Sequence, residues 1–315
     1  MLHKEDSHGR SIIDMLWNTN STEISEITTV NKKIELYGFV NVSLRHNMNL
    51  SCGVRTLVNF EENYVAYQTA LNFDFSSKSS LIMSAGQYFN TLPSNFYHHD
   101  FTLQQSQQFA VDYNYTSYKT SLGIAFFMKQ EKGGNYVHYN KEIDSQKVKG
   151  VELMYRQAIG DQWMFEIANT WIDSKMSIDQ HSYVGDRDMD YFIKSSLQYK
   201  NSNGLSATLS FQSRQGALYT PIVSTRTFNQ YKIPVYDNQY NNNRYNHYNR
   251  LDVMISKYIA YKNHSLVAFA SVNNLLNNHN ISSFYYDQDF DSKYNNYYTL
   301  RTFYLGFVWR WDYQK

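Results

Sequence analysis

This sequence predicts an all-β fold, an antiparallel up-and-down meander of about 13–14 strands forming a partial or atypically closed transmembrane β-barrel. Three observations predict it. Polar and apolar residues alternate strictly along most of the chain. The connections between alternating stretches are short and long by turns. Large aromatic rings make up 17% of the residues, with 29 Tyr and 19 Phe, in a chain of low mean hydropathy.

The alternation is clearest in "LSATLSFQSR", where Leu205, Ala207, Leu209 and Phe211 take every second position. Ser206, Thr208, Ser210, Gln212 and Arg214 fill the gaps, the pattern of a strand with one apolar and one polar face. Similar stretches run over 33–45, 48–59, 63–75, 79–90, 105–116, 119–130, 147–158, 162–173, 190–200, 204–215, 248–260, 263–275 and 299–311. Their apolar sets include Trp163, Phe165 and Ile167, and Leu251, Val253 and Ile255; the opposite faces carry residues such as Glu152, Arg250 and Asp252. Residues 33–315 are therefore read as one β-sheet unit. Residues 1–32 are read as an irregular N-terminal segment, either a loop remnant or one extra strand from "NSTEISEITTV".

The connections give the sheet its direction. Short ones include "SSKS", "IGDQ", "NSNG" and "YKNH"; long ones cover about 91–104, 131–146, 174–189, 216–247 and 276–298. Short turns at one end and long loops at the other mark membrane barrels, with periplasmic turns and extracellular loops. Strands of about 10 residues suit a tilted membrane span. The long connections, rich in Tyr, Asn, Asp and Ser, read as solvated loops, and Pro93, Pro221 and Pro234 all fall within them. Tyr297, Tyr298, Trp309 and Trp311 at strand edges fit aromatic girdles at the membrane interfaces. On this reading the apolar faces meet outer-membrane lipid and the polar faces a wet lumen.

Composition excludes several classes. With 29 Lys+Arg against 28 Asp+Glu, no basic surface advertises nucleic acid. Cys52 is the one cysteine, so no internal disulfide forms, and it reads as a small packing residue. No stretch approaches the roughly 20 apolar residues of a membrane helix. The opening "MLHKEDSHGR" lacks the apolar core of a signal peptide. A secreted β-sandwich or solenoid adhesin is disfavoured by the consistently polar alternate faces and the lack of a short repeat.

From about residue 50 the chain resembles the C-terminal barrel portion of a TonB-dependent outer-membrane receptor of the Bacteroidetes type. "HYNRLDVMISK" carries the tyrosine-then-"RLD" strand opening at Arg250, Leu251 and Asp252; "LVAFASVNNLLNNHNI" carries the Asn-rich strand exit at Asn273, Asn274 and Asn277. "LRTFYLGFVWRW" carries the closing strand, from Arg301 to the alternating aromatics that end at Trp309 and Trp311. "DFTLQQSQQFAVDYNY" and "KVKGVELMYR" resemble earlier barrel strands, although the first lacks the usual Pro-Glu. The resemblance implies loop capture of a nutrient (an iron chelate, cobalamin, glycan or peptide) and uptake energised by the TonB system. It also implies an N-terminal plug and further strands as partners. The sequence shows no plug, TonB box or signal peptide, so the expectation is a fragment of such a receptor. The alternative is a passive pore formed by a small barrel.

No enzymatic constellation is present: no P-loop, no G-x-S-x-G, no Ser-His-Asp order, and no cofactor is expected. His98, His99 and Asp100 sit together in a long connection, but adjacent side chains on an extended segment point opposite ways. Asp186, Asp188 and Asp190 match the first three positions of a calcium loop, yet the sixth and twelfth are Tyr191 and Leu197 instead of Gly and Glu. No metal is expected, and a solvated acidic loop is the favoured reading. Arg214, Gln212, Arg250, Asp252 and Glu152 are expected to face the lumen. Asn273, Asn274 and Asn277 are expected to satisfy loop backbone with their amides.

Overall fold

A computed structural model of the 315-residue chain describes residues 34–58, 63–92, 102–132, 137–138 and 141–311. The segment 1–32, Pro93, the His98–His99–Asp100 cluster and the final "DYQK" lie outside the described residues. Thirteen long strands follow in chain order. They are β1 (Ile34–Arg45), β2 (Met48–Val58), β3 (Asn63–Ser76), β4 (Ser79–Leu92), β5 (Thr102–Thr116), β6 (Thr120–Lys132) and β7 (Ser145–Ile159). They continue with β8 (Trp163–Ile178), β9 (Met189–Lys200), β10 (Leu205–Arg214), β11 (Tyr248–Tyr261), β12 (His264–Asn273) and β13 (Thr302–Trp311). No helix occurs among the described residues.

Each strand pairs with its neighbours in sequence, always antiparallel, in one sheet of 14 strands. The fourteenth, His181–Val184, pairs only with β8. Among the described residues the sheet does not close: β1 and β13 form its two ends. Short turns on one side set the register. In "NSNG" the Asn201 side chain accepts from the backbone N–H of Asn203 and of Leu205, both at 3.0 Å. Gly204 there has φ +79°, and a Cβ on it would lie 2.5 Å from the carbonyl oxygen of Tyr258, so only glycine fits.

Register carries the alternation across strands. Phe165, Leu197, Leu209, Val253, Val272 and Phe303 stand opposite one another from β8 to β13 on one face. Glu166, Ser196, Ser210 and Asp252 form a matching row on the other. The apolar face is open: Leu209, Ile255, Leu305, Phe307 and Trp309 are all exposed. Trp309 and Trp311 stand on it near the short turn at Lys262–Asn263, where an interfacial girdle is expected.

The long-loop side departs from the sequence reading in two ways. The strands run further than the alternation marks them, to 15 residues in β5 and β7 and 16 in β8. The long connections are also not plain loops. Hairpins Ile222–Phe228/Tyr231–Tyr236 and Ile281–Tyr286/Lys293–Tyr297 stand in two of them, and Pro234 lies within the first. Tight turns at Asp179–Gln180 (φ 51° and 64°) and Asn229–Gln230 (φ 45° and 65°) close such hairpins without glycine, which hides them in the sequence.

The small buried core sits under these loops. Met176 (1% exposed) and Ile178 (2%) on the polar side of β8 pack with Ile143, Tyr183 and Tyr240. The loops therefore fold over the polar face and leave the apolar face bare.

Candidate functional site

The polar face and the loops covering its long-loop end make up the site. The five residues expected in the lumen share this face. Glu152, Thr170, Phe192, Arg214 and Tyr248 form one row from β7 to β11, and Gln212 stands opposite Arg250 one step nearer the short turns. The Arg214 guanidinium lies 4.9 Å from the Tyr248 ring centre and 5.7 Å from that of Tyr298. It also donates to the Tyr298 hydroxyl at 3.1 Å. Tyr298 is thus turned onto a polar-face arginine and does not join an interfacial girdle. Tyr297 likewise packs on the His279 ring, just before its hairpin begins.

The "RLD" and Asn-rich stretches prove to be one device. Arg250 Nε donates to both Asp252 oxygens, at 2.7 and 2.9 Å, and Asp252 accepts the Asn274 backbone N–H at 2.8 Å. Asn274, 1% exposed with φ 52°, turns the chain out of β12. Its side chain donates to the Asn278 carbonyl at 3.0 Å and accepts the Asn278 N–H at 3.0 Å. Asn277 accepts from the backbone N–H of Arg301 at 3.1 Å. Asn274 and Asn277 act on loop backbone as expected, whereas Asn273 is a ladder residue opposite Thr302. Asn278 and Asn280 belong to the same network: both donate to the Asn249 carbonyl, at 3.0 and 2.9 Å.

The three spaced aspartates are engaged separately. Asp186 accepts from Asn241 Nδ2 at 2.7 Å, Asp188 pairs with Arg244, and Asp190 accepts from Gln215 at 2.6 Å. Asp188 also accepts the Ser174 backbone N–H at 3.0 Å. Each carboxylate pins a different piece of the 215–247 connection to the rim of the sheet. Among the described residues no group of three or more His, Cys, Asp and Glu is arranged to hold a metal ion.

Sequence reasoning missed an aromatic cluster above this rim. The Tyr219 and Tyr245 rings stack at 4.6 Å, and Phe284 meets them edge-on at 5.2 and 4.8 Å. Lys293 Nζ sits 3.7 Å over the Phe284 ring, and Lys232 pairs with Asp291 at 3.3 Å, tying the two long hairpin connections together. Burial, with the nearby Tyr219, pushes the Tyr286 hydroxyl above its usual pKa. Backbone N–H groups, foremost those of Gln239 and Ser292, hold the carboxyls of Asp237 and Asp287 below their usual range. Density of Tyr in these connections was the available signal; which rings meet is not periodic. Rings, a cation and amides arranged this way can hold a flat or anionic ligand.

No protein-family model matches the sequence, and neither does any curated protein. Solved structures do match. The ferric yersiniabactin uptake receptor FyuA of Yersinia pestis aligns with a TM-score of 0.65 at 16% identity, over 90% of this chain and 46% of that one. The ferripyoverdine receptor of the Pseudomonas aeruginosa outer membrane gives 0.62 at 15%, over 89% and 38%. The FrpB iron transporter of Neisseria meningitidis gives 0.60 at 12%, over 87% and 44%. This chain spans less than half the length of each. At such identities the likeness is one of fold, and the fold is that of part of an outer-membrane receptor barrel.

Proposed function

We propose that the chain is the barrel portion of an outer-membrane receptor-transporter that takes up a nutrient with energy from TonB. An iron chelate is the ligand class we favour, because the solved structures sharing the fold are named as receptors or transporters of iron or its chelates. The observation that carries the reading is the division of the sheet. One face stays largely apolar along the middle of the thirteen strands, while pinned, aromatic-rich loops cover the long-loop end of the other. Loops fitted over the polar face argue against the passive pore. Arg214 with Tyr248 and Tyr298, and the Tyr219–Tyr245–Phe284 cluster, are the proposed ligand-side groups. The role proposed for them is binding, with no chemical step. Because β1 and β13 end the sheet, further strands and a plug are proposed to complete the barrel.

Deleting the gene for this chain from its own host tests the reading. Growth on one ferric chelate under iron limitation should be lost, and the chain should fractionate with the outer membrane. Unchanged growth on ferric chelates, cobalamin, glycans and peptides alike would overturn it.

A further inference from the structure

We propose that the apolar face carries, at the long-loop end of β6–β8, a binding site for the phosphorylated headgroup of a membrane lipid. The proposal rests on the membrane reading above, which makes this face the lipid-facing one. Among the described residues of the thirteen strands, register confines the charged side chains of that face to two places. One is the short-turn end, where Lys257 donates to the Asn203 carbonyl beside the Asn201–Gly204 turn and Arg45 stands opposite Met48 beside the His46–Asn47 turn. The other is a group of four lysines and one aspartate at the opposite end: Lys132, Lys147, Lys149, Asp173 and Lys175. The remaining charged residues of these strands alternate onto the polar face, as Glu131, Glu152, Arg156, Glu166, Arg214, Arg250 and Asp252 do.

The arrangement of the group is what points to an anion. Lys147 and Lys175 stand directly opposite one another on β7 and β8, and like charges in that position destabilise a strand pair. The ladder partner of Lys147 on its other side is the uncharged Gln130, and that of Lys175 is Val184. Lys149, one step nearer the membrane, pairs with its ladder partner Asp173 at 3.0 Å and leaves both ends of the pair exposed. A second carboxylate at this rim, Asp144, is taken by the Ser177 hydroxyl and the Gln180 N–H, at 3.3 and 3.1 Å. Glu131 is buried on the far face with Lys129 and Arg187. Among the described residues no carboxylate pairs with Lys147 or Lys175, and a phosphate bridging the two ammonium groups would neutralise them.

A lipid is the occupant because of what adjoins the lysines. The groove that Lys147, Lys149 and Lys175 line, about 540 Å³, is also lined by Phe109 and Met128. The next row toward the short turns is Val111, Phe126, Val151 and Trp171, of which Phe126, Val151 and Trp171 are exposed. Phosphate-binding cations directly above an exposed apolar band match a headgroup with its acyl chains below. A soluble anion would use the lysines alone.

The test takes the chain, together with the strands and plug proposed to complete its barrel, from the outer membrane of its host and inserts it into phosphatidylcholine vesicles with and without lipid A, a glucosamine lipid bearing two phosphates. Heat-modifiable migration reports insertion, and native mass spectrometry of extracted protein reports retained lipid. The chain should retain lipid A over its dephosphorylated form, and Lys147→Gln/Lys175→Gln should lower retention roughly tenfold or more. Lys257→Gln should not. Lys175→Gln alone should raise the unfolding temperature in pure phosphatidylcholine and lower it when lipid A is present. Insertion with equal retention by the wild-type chain and the double variant would overturn the lipid site alone. Displacement of lipid A by an equal concentration of inorganic phosphate would do the same. Failure to insert into either vesicle would overturn the membrane reading itself, and the site with it.

Discussion

Arg250 holds both carboxylate oxygens of Asp252, two residues further along the same strand, and Asp252 passes that fixed position on to the backbone N–H of Asn274. A strand on one side of the hairpin thereby sets where the chain leaves the other. Asp252→Ala removes the acceptor from a buried turn and should cost about 2–3 kcal/mol. Asn274→Ala should cost about as much, and the double variant less than the sum, because both act on one network. Urea unfolding in detergent, followed by tryptophan fluorescence, measures all three.

Val253 stands between Leu209 and Val272 on the apolar face, and Thr208 between Gln198 and Met254 on the polar one. If the apolar face meets lipid, Val253→Arg should destabilise by about 2–4 kcal/mol and Thr208→Arg by much less. Equal effects in a vesicle-refolding titration would refute the facing.

Asp237 and Asp287 act as acceptors inside the loop connections. Their carboxyls are held below the usual 3.8, so the stabilisation they supply is complete above that value and is lost as pH falls through the lowered one. The protection factors of the Gln239 and Ser292 amides, which remove the intrinsic pH dependence of exchange, should fall below about pH 4 and stay constant from pH 5 to 7. Asp237→Ala should remove the pH step at Gln239 while leaving the one at Ser292.

The spacing of Asp186, Asp188 and Asp190 invites a calcium test. Each carboxylate already serves a separate partner on the 215–247 connection. Thermal unfolding should therefore be the same with a chelator as with added calcium, whereas Asp188→Asn should lower stability by about 1–3 kcal/mol through the Arg244 contact.

The open ends of the sheet bear on transport. Unpaired ladder groups in lipid cost several kcal/mol each, and β1 and β13 each have one long-strand partner among the described residues. Residues 1–315, expressed behind a signal peptide in a receptor-deficient strain, should not restore TonB-dependent uptake of a ferric chelate. Restored, energy-dependent uptake would show that no further strands or plug are required.

What the sequence determined by itself is the sheet. A side-chain period of two assigns every residue of a strand to one face. Short turns such as Asn201–Gly204 fix each strand against the next, so strand order, facing and the polar row from Glu152 to Tyr248 were legible. The Arg250–Leu251–Asp252 and Asn274–Asn277 stretches were legible as motifs, though not as one network. Only the tertiary structure decided the loops. Arg214 meets Tyr298 across 84 residues, and Asp188 meets Arg244 across 56, because the sheet brings distant strand ends to one rim. Those segments carry no hydrophobic period, and their turns use Asp, Asn and Gln where glycine would have marked them. Which tyrosine stacks on which, and which carboxylate takes which donor, is set by the spacing of strands that are neighbours in space and far apart in the chain.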